Sequence, residues 1–350
     1  MLRFRPGGEE GVEMRALIWH GPRSMTLENV PEPAPAPEEV VIRVDAVGIC
    51  GSELSGYLGE NSLRVPPLIM GHEFTGRVVQ APPASRLAPG QAVVVNPLLS
   101  CGECPMCRSG LDNLCAKRSV VGAHRPGAFA ELISVPERSC HPLPPEVDPV
   151  LGAMVEPLAC GVRAMELGQI GLGEGVFILG AGTIGLFALA LARRAGAGLL
   201  AVADVNRSRL ETARAWGATH VLDARSDVVG EIQRLTAGSG VDLAIDAVGL
   251  TATRRAAVHA VRRGGRVVLL GLHEGESSFP ANDMVRGEVQ VTGSFAYRSR
   301  SFERALALVQ SGVLSVAGRS FEVRRLAQGP EPFEQLVAGE LGVAKLVLRP

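Results

Sequence analysis

Four cysteines carry the sharpest chemical signal in this 350-residue chain: Cys101, Cys104, Cys107 and Cys115, separated by two, two and seven residues. Four thiolates complete a closed tetrahedral shell around a structural Zn2+, at about 2.3 Å per sulfur, and leave no open position for catalysis. Gly102, Pro105 and Gly110 bend the loop that must gather them. An iron–sulfur cluster is the rival occupant, since four thiolates also suit one, but the spacing matches no cluster motif. The chain has seven cysteines, an odd number, and no apolar leader precedes them. Metal ligation therefore explains them better than a disulfide framework.

The second signal is Gly180-Ala181-Gly182-Thr183-Ile184-Gly185, which follows the strand-like run Val176–Leu179 and opens a helical run, Thr183–Arg194. Gly180 allows the tight turn, Gly182 lets backbone approach a pyrophosphate, and Gly185 lets the helix pack close to the sheet. The helix N-terminus then offers free N–H groups to the phosphates. Nineteen residues after Gly185 stands Asp204, where a carboxylate accepts the adenosine ribose hydroxyls and repels a 2′-phosphate. That favours NAD over NADP, although Arg207 and Arg209 lie close enough to soften the preference. Val248, Gly249, Leu270 and Gly271 end later strands and by position line the nicotinamide side.

A third set is scattered: Cys50 and Ser52 in GICGSE, His72 and Glu73 in GHEF, and Glu156 in VEPLA. Taken singly, each has a bland reading as a buried thiol, a turn serine, a satisfied histidine, a surface carboxylate or a helix cap. Five other histidines, His124, His141, His220, His259 and His273, lack ligand-like partners and read as structural or solvated.

The elements that must position these groups divide the chain. From Arg15 to about residue 150, short strands (Arg15–His20, Val40–Val47, Phe74–Val79, Gln91–Val95, Phe129–Val135) alternate with turns, as in a small β-rich domain. After a helical run, Gly152–Leu167, strands at Val176–Leu179, Leu199–Ala203, Val241–Asp246 and Arg266–Leu270 alternate with helices. That rhythm predicts an α/β fold with a doubly wound parallel sheet. The expected boundaries are 14–162 with 297–350 for the first domain and 163–296 for the dinucleotide domain, residues 1–13 being a disordered tail. A helix at Ser301–Gln310 and a strand near Ala344–Leu348 should return to the first domain.

Composition sets limits on partners. A net charge of −1 gives no basis for a nucleic-acid or anionic-membrane partner. Gly175–Ala192 is uncharged and near the length of a membrane span. However, Gly180, Gly182, Thr183 and Gly185 cut it into strand, turn and helix between Glu174 and Arg193. The leader lacks a secretory pattern, so a cytoplasmic protein is expected.

Together, the cysteine loop, the glycine motif and the scattered set resemble the zinc-dependent medium-chain dehydrogenase/reductase family. GICGSE, GHEF and EPLA look most like its polyol branch, which includes sorbitol and diol dehydrogenases. The resemblance implies a Rossmann nucleotide domain beside a β-rich GroES-like catalytic domain. It also implies two zinc ions per chain and NAD-dependent oxidation of a secondary alcohol to a ketone. Cys50, His72 and Glu73 would hold a catalytic zinc, with Glu156 a direct or water-mediated ligand and Ser52 the proton-relay hydroxyl. Such a zinc lowers the pKa of a bound hydroxyl near neutral pH. Glu53 stands where the family usually has an Asp that orients the ligating histidine. A homotetramer is a further implication.

Two positions depart from the branch. Ser55 replaces a common His, and Ala296 stands where sorbitol enzymes place an Arg, which makes sorbitol itself a poor expectation. A threonine-type amino-alcohol dehydrogenase is the nearest alternative, and a non-catalytic dinucleotide-binding protein a remote one.

Overall fold

A computed structural model describes residues 12–314 and 320–350, which fall into two compact units. The first unit takes residues up to Glu156 together with Phe321–Leu341 and Lys345–Pro350. The second takes Pro157–Ser320 and Gly342–Ala344. Residues 1–11, most of the expected tail, lie outside the described residues; Glu13, the tail's last residue, instead opens the first strand, Glu13–Gly21.

The first unit is β-rich, as its turn spacing predicts. Its main sheet runs Cys140–Pro142, Ala92–Val95, Glu73–Gln80, Glu39–Gly48, Lys345–Arg349, Phe321–Arg325, and Leu132–Pro136 also pairs with Glu39–Gly48. Ser24–Pro31, at the edge of a three-stranded sheet, ends where the prolines begin, because proline removes a ladder donor. Alternating residues of these strands bury one core, in which Phe333 packs its ring 5.5 Å from both Tyr57 and Phe129. Phe333 belongs to the late helix Glu331–Val337, so this aromatic cluster ties the returning segment into the first unit.

The second unit holds a six-stranded parallel sheet in the order His220–Asp223, Leu199–Asp204, Gly175–Leu179, Val241–Asp246, Val261–Leu269, Gln290–Gly293. This is the doubly wound order, reversing at the strand that feeds the glycine turn. Leu199–Asp204, Gly175–Leu179 and Val241–Asp246, in the middle of the sheet, are buried on both faces and read as near-continuous aliphatic runs.

The divisions differ from those expected. Pro157–Val162 belongs to the second unit because Gly161 lets the helix Val155–Gly168 pack closely on Leu191 and Phe187. The helix Ser299–Gln310 stays there too, since Ser301 Oγ donates to Glu166 at 3.0 Å and Arg304 Nη1 pairs with the same carboxylate. The return to the first unit therefore begins at Phe321 rather than at residue 297. The expected Gly152–Leu167 helix is two helices, Pro149–Ala153 and Val155–Gly168, the first capped by Asp148. The short strand His220–Asp223 and helix Val228–Leu235, absent from the expectation, complete the alternation.

Replacing Phe333 with Ala should cost about 3–5 kcal/mol of stability. Equilibrium urea unfolding, read through Trp19 in a Trp216→Phe background, should show an earlier midpoint. An unchanged midpoint would mean that the returning helix does not hold the first unit together.

Candidate functional site

The geometry builds outward from one buried carboxylate. Cys50 ends a strand-to-helix connection, and the short helix Gly51–Tyr57 places Glu53 in its first turn, fully buried. Glu53 Oε2 accepts the Cys50 N–H at 2.9 Å, while Oε1 accepts the Gly71 N–H at 2.8 Å and meets His72 Nδ1 at 2.7 Å. A carboxylate can only accept, so Nδ1 carries the hydrogen and Nε2 is left as the metal-facing atom. Burial opposes the charge on Glu53, but His72, Arg64 and the Cys50 N–H hold its carboxyl below the usual range.

Cys50 Sγ, a His72 ring nitrogen and a Glu73 carboxylate oxygen lie within 4.8 Å of one another. One sulfur, one nitrogen and one oxygen make a three-protein-ligand set of the kind that keeps a position open on a catalytic zinc. Burial opposes a charge on His72, yet Glu53 and Cys50 draw its pKa well above the ordinary value, which marks a site strongly attractive to cations. The donor set and its charge fit a divalent metal. Glu156 is buried in the first turn of its helix, but its carboxylate lies outside this cluster.

Two features of this site escaped the sequence reading. Lys345, fully buried in the C-terminal strand, donates to Glu73 Oε1 at 2.7 Å and to the Ile49 carbonyl at 3.0 Å. Its Nζ is also 2.7 Å from Glu73 Oε2, outside hydrogen-bonding direction. The only sequence signal was a lone lysine inside the apolar run Val343–Leu348. Arg64 is the other; its side chain is buried and Nη2 donates to Ser52 Oγ at 3.3 Å. Nothing in the sequence around Arg64 points to that contact. Gly48 matters as well, because a Cβ there would overlap Glu73 Oε2. Ser55, at the position of the expected His, turns its hydroxyl back to the Ser52 carbonyl at 3.0 Å.

The four-cysteine loop closes as its spacing requires. Sulfur separations are 3.5 Å for Cys104–Cys107, 3.5 Å for Cys101–Cys115 and 3.9 Å for Cys101–Cys107. A tetrahedron with sulfurs about 2.3 Å from its centre has edges of about 3.8 Å, so the donors fit a zinc ion. The Glu103 and Cys104 N–H groups lower Cys101 to about 6, whereas desolvation and the Cys104 thiol raise Cys107 to about 11. Two thiols as different as Cys101 and Cys107 do not ionise together near neutral pH without a cation beside them.

In the second unit, Gly180 adopts a left-handed φ of +98°, and its N–H donates to the Ala203 carbonyl at 2.8 Å. Asp204 closes the turn: Oδ2 accepts the Ala181 N–H and Oδ1 the Asn206 N–H, both at 2.7 Å. Each oxygen keeps a second lone pair for a ribose hydroxyl. Gly182 caps the helix Thr183–Arg194 with open space where a Cβ would be, whereas a Cβ on Gly185 would overlap the Gly180 carbonyl oxygen. Thr183 Oγ1 donates to the Ala344 carbonyl at 2.6 Å. Ile184 is half-buried in the same first turn, and the Arg209 N–H donates to the Asn206 side chain. Buried Asp246 gathers the remaining four expected residues. Its carboxylate accepts the Val248 and Gly249 N–H groups, and its carbonyl those of Leu270 and Gly271. Among the described residues, no helix is long and apolar enough to cross a membrane.

The chain matches two family models: an alcohol dehydrogenase GroES-like domain over residues 36–145 and a zinc-binding dehydrogenase over residues 183–311. It is similar to a sorbitol dehydrogenase of Bacillus subtilis (strain 168), 30% identical over 346 residues, covering 96% of this chain and 97% of that one. It also resembles an L-idonate 5-dehydrogenase of Vitis vinifera, 32% identical over 321 residues, with 89% and 87% covered. Among solved structures, it superposes on a zinc-binding dehydrogenase of Sinorhizobium meliloti 1021 bound to NADP. There the TM-score is 0.90 and the identity 35%, with 97% of this chain and 100% of that one covered.

Glu53→Gln should lower zinc affinity at the Cys50 site by about 10–100-fold, and Glu53→Asp should retain more of it. Competition against a chromogenic chelator measures this, and equal affinity in all three proteins would remove the orienting role. Gly185→Ala should lower the melting temperature. Gly182→Ala should leave it unchanged while weakening dinucleotide binding at least tenfold, and equal effects of the two on stability would contradict the geometry.

Proposed function

The chain belongs to the zinc-dependent alcohol dehydrogenase family and is an oxidoreductase of that class, and from this premise we propose that it oxidises a secondary alcohol of a polyol or diol to a ketone with NAD as hydride acceptor. The observation that carries the reading is the meeting of Cys50, His72 and Glu73 donor atoms within 4.8 Å, with Glu53 fixing His72 from behind.

Cys50, His72 and Glu73 would hold the catalytic zinc, with Glu156 reaching it directly or through water. When bound, the ion polarises the substrate oxygen and makes its hydroxyl a stronger acid. The protein's own groups do the rest. Glu53 keeps Nε2 of His72 free of hydrogen for ligation. Lys345 neutralises Glu73, so that the site does not gather more negative charge than a divalent ion offsets. Ser52 Oγ takes the alcohol's proton and passes its own toward solvent, with the Arg64 N–H stabilising the oxygen during the exchange. Since Ser55 is turned back onto backbone, its hydroxyl is not free to carry the proton onward, and a bound cofactor's ribose hydroxyls and water would supply that path.

The dinucleotide, when bound, would supply the hydride acceptor that oxidation of the alcohol to a ketone requires. The Gly180–Gly185 turn and Asp204 hold the dinucleotide, and the position of the Asp204 carboxylate supports NAD over NADP. The Val248, Gly249, Leu270 and Gly271 ends would line its nicotinamide. Cys101, Cys104, Cys107 and Cys115 would carry a second, structural zinc. Cysteines gathered into metal-ligand sets suit a reducing compartment, so we assign the enzyme to the cytoplasm, as a homotetramer.

Purified protein should reduce NAD with at least one substrate from a panel of diols, polyols and threonine. Cys50→Ser or a chelator should abolish the rate. If no member of the panel supports turnover sensitive to both, the dehydrogenase reading fails; turnover of threonine alone would move the substrate class to amino alcohols.

A further inference from the structure

Arg64 is the least satisfied charge near this site. It is 6% exposed, and its stem lies in the groove left by Gly56, where a Cβ would come within 2.6 Å of Arg64 Cδ and 3.3 Å of Nε. The groove fixes the path of the side chain along the helix Gly51–Tyr57, from Gly56 toward Ser52. Nη2 reaches Ser52 Oγ at 3.3 Å, a long contact for a charged donor, and buried Nε has no acceptor. Among the described residues that contact is the guanidinium's one hydrogen bond, and it makes no ion pair.

The nearest carboxylate, Glu53, does not answer this need. Its two oxygens are engaged by the Cys50 and Gly71 N–H groups and by His72, and Arg64 acts on it through space alone. A guanidinium stays charged in a protein and presents five N–H donors in a planar fork. A buried charge with neither counter-ion nor full hydrogen bonding is strongly unfavourable. The fork matches a carboxylate or phosphate, which takes two parallel N–H bonds.

We infer that Arg64 receives an anionic group of the substrate, so that the alcohol oxidised here is a polyol bearing a carboxylate or a phosphate rather than a neutral alditol. The inference rests on the proposed function only in taking Ser52 as the hydroxyl that meets the reacting alcohol. The anion completes the donor set that the fold leaves open, one hydrogen bond away from that hydroxyl. The same charge disfavours a neutral substrate, because an uncharged group displaces water from the guanidinium without replacing the lost interaction.

Calorimetric titration of the zinc- and dinucleotide-loaded protein tests this with five- and six-carbon alditols, the matching aldonates and the matching terminal phosphates. One anionic series should bind at least tenfold more tightly than its neutral counterpart, and which series does so identifies carboxylate or phosphate. Arg64→Met should reduce that preference by about 10–100-fold, and Arg64→Lys should keep part of it. If Arg64→Met fails to fold, Gly56→Ala displaces the guanidinium while keeping its charge, and should also reduce the preference.

Equal binding of neutral and anionic ligands overturns the inference. So does a loss that is equal for both series and accompanied by a shifted pH–rate profile, which would make Arg64 a positioning residue for Ser52. Binding is read without turnover, so an anion preference that depends on Arg64 in a protein that oxidises no alcohol would sink the dehydrogenase reading and leave the anion site standing. Oxidation of neutral polyols but not of the preferred anion would overturn the substrate assignment.

Discussion

Everything at the candidate centre depends on the buried carboxylate of Glu53. It joins two chain segments that would otherwise be independent, the turn ending in Cys50 and the turn carrying Gly71 and His72. A carboxylate deprived of water must find donors, and here the donors are the very groups whose positions decide ligand geometry. The cost of burying it is offset by those three bonds, so moving either segment leaves a buried charge unpaired. The metal donors are thus held by a requirement that exists before any ion arrives.

A similar arrangement recurs in the second unit, with Asp204 and Asp246 in the corresponding role. Each lies at the end of a parallel strand and spends its acceptors on the N–H groups of the turn that follows or of its neighbour. Strand ends in a parallel sheet expose unpaired backbone donors, and a carboxylate satisfies several at once. The result is a set of rigid turns at one end of the sheet, the end at which such folds bind ligands.

Much of this was legible in the sequence. The cysteine spacing and the strand–glycine–helix pattern are local, so neighbouring residues alone specify them, and the helix Thr183–Arg194 falls on the expected bounds. Cys50, His72 and Glu73 were legible only through resemblance, since the strand pairing that aligns Gly48 with Glu73 cannot be read from either segment alone. Glu156 was expected as a direct or water-mediated ligand, and its carboxylate is not among the donor atoms that lie within 4.8 Å of one another. Lys345 and Arg64 were missed for the same reason: their partners are chosen by tertiary packing, and a cation in an apolar stretch does not announce which anion it faces. The domain boundary near residue 297 shifted because the Glu166 network holds the helix Ser299–Gln310, a contact invisible to hydrophobic periodicity.

The ion pair between Glu73 and Lys345 spans 272 residues of chain. Translation at about 5–20 residues per second puts roughly 15 to 55 seconds between the emergence of one partner and the other. During that interval the nascent chain already holds Cys50, His72 and the four loop cysteines, with Glu73 carrying a charge that nothing answers. Metal taken up then would meet an unfinished and more anionic pocket than the one in the mature fold. The timing of metal loading, during synthesis or after it, thereby becomes a variable in how much of the protein matures with the correct ion.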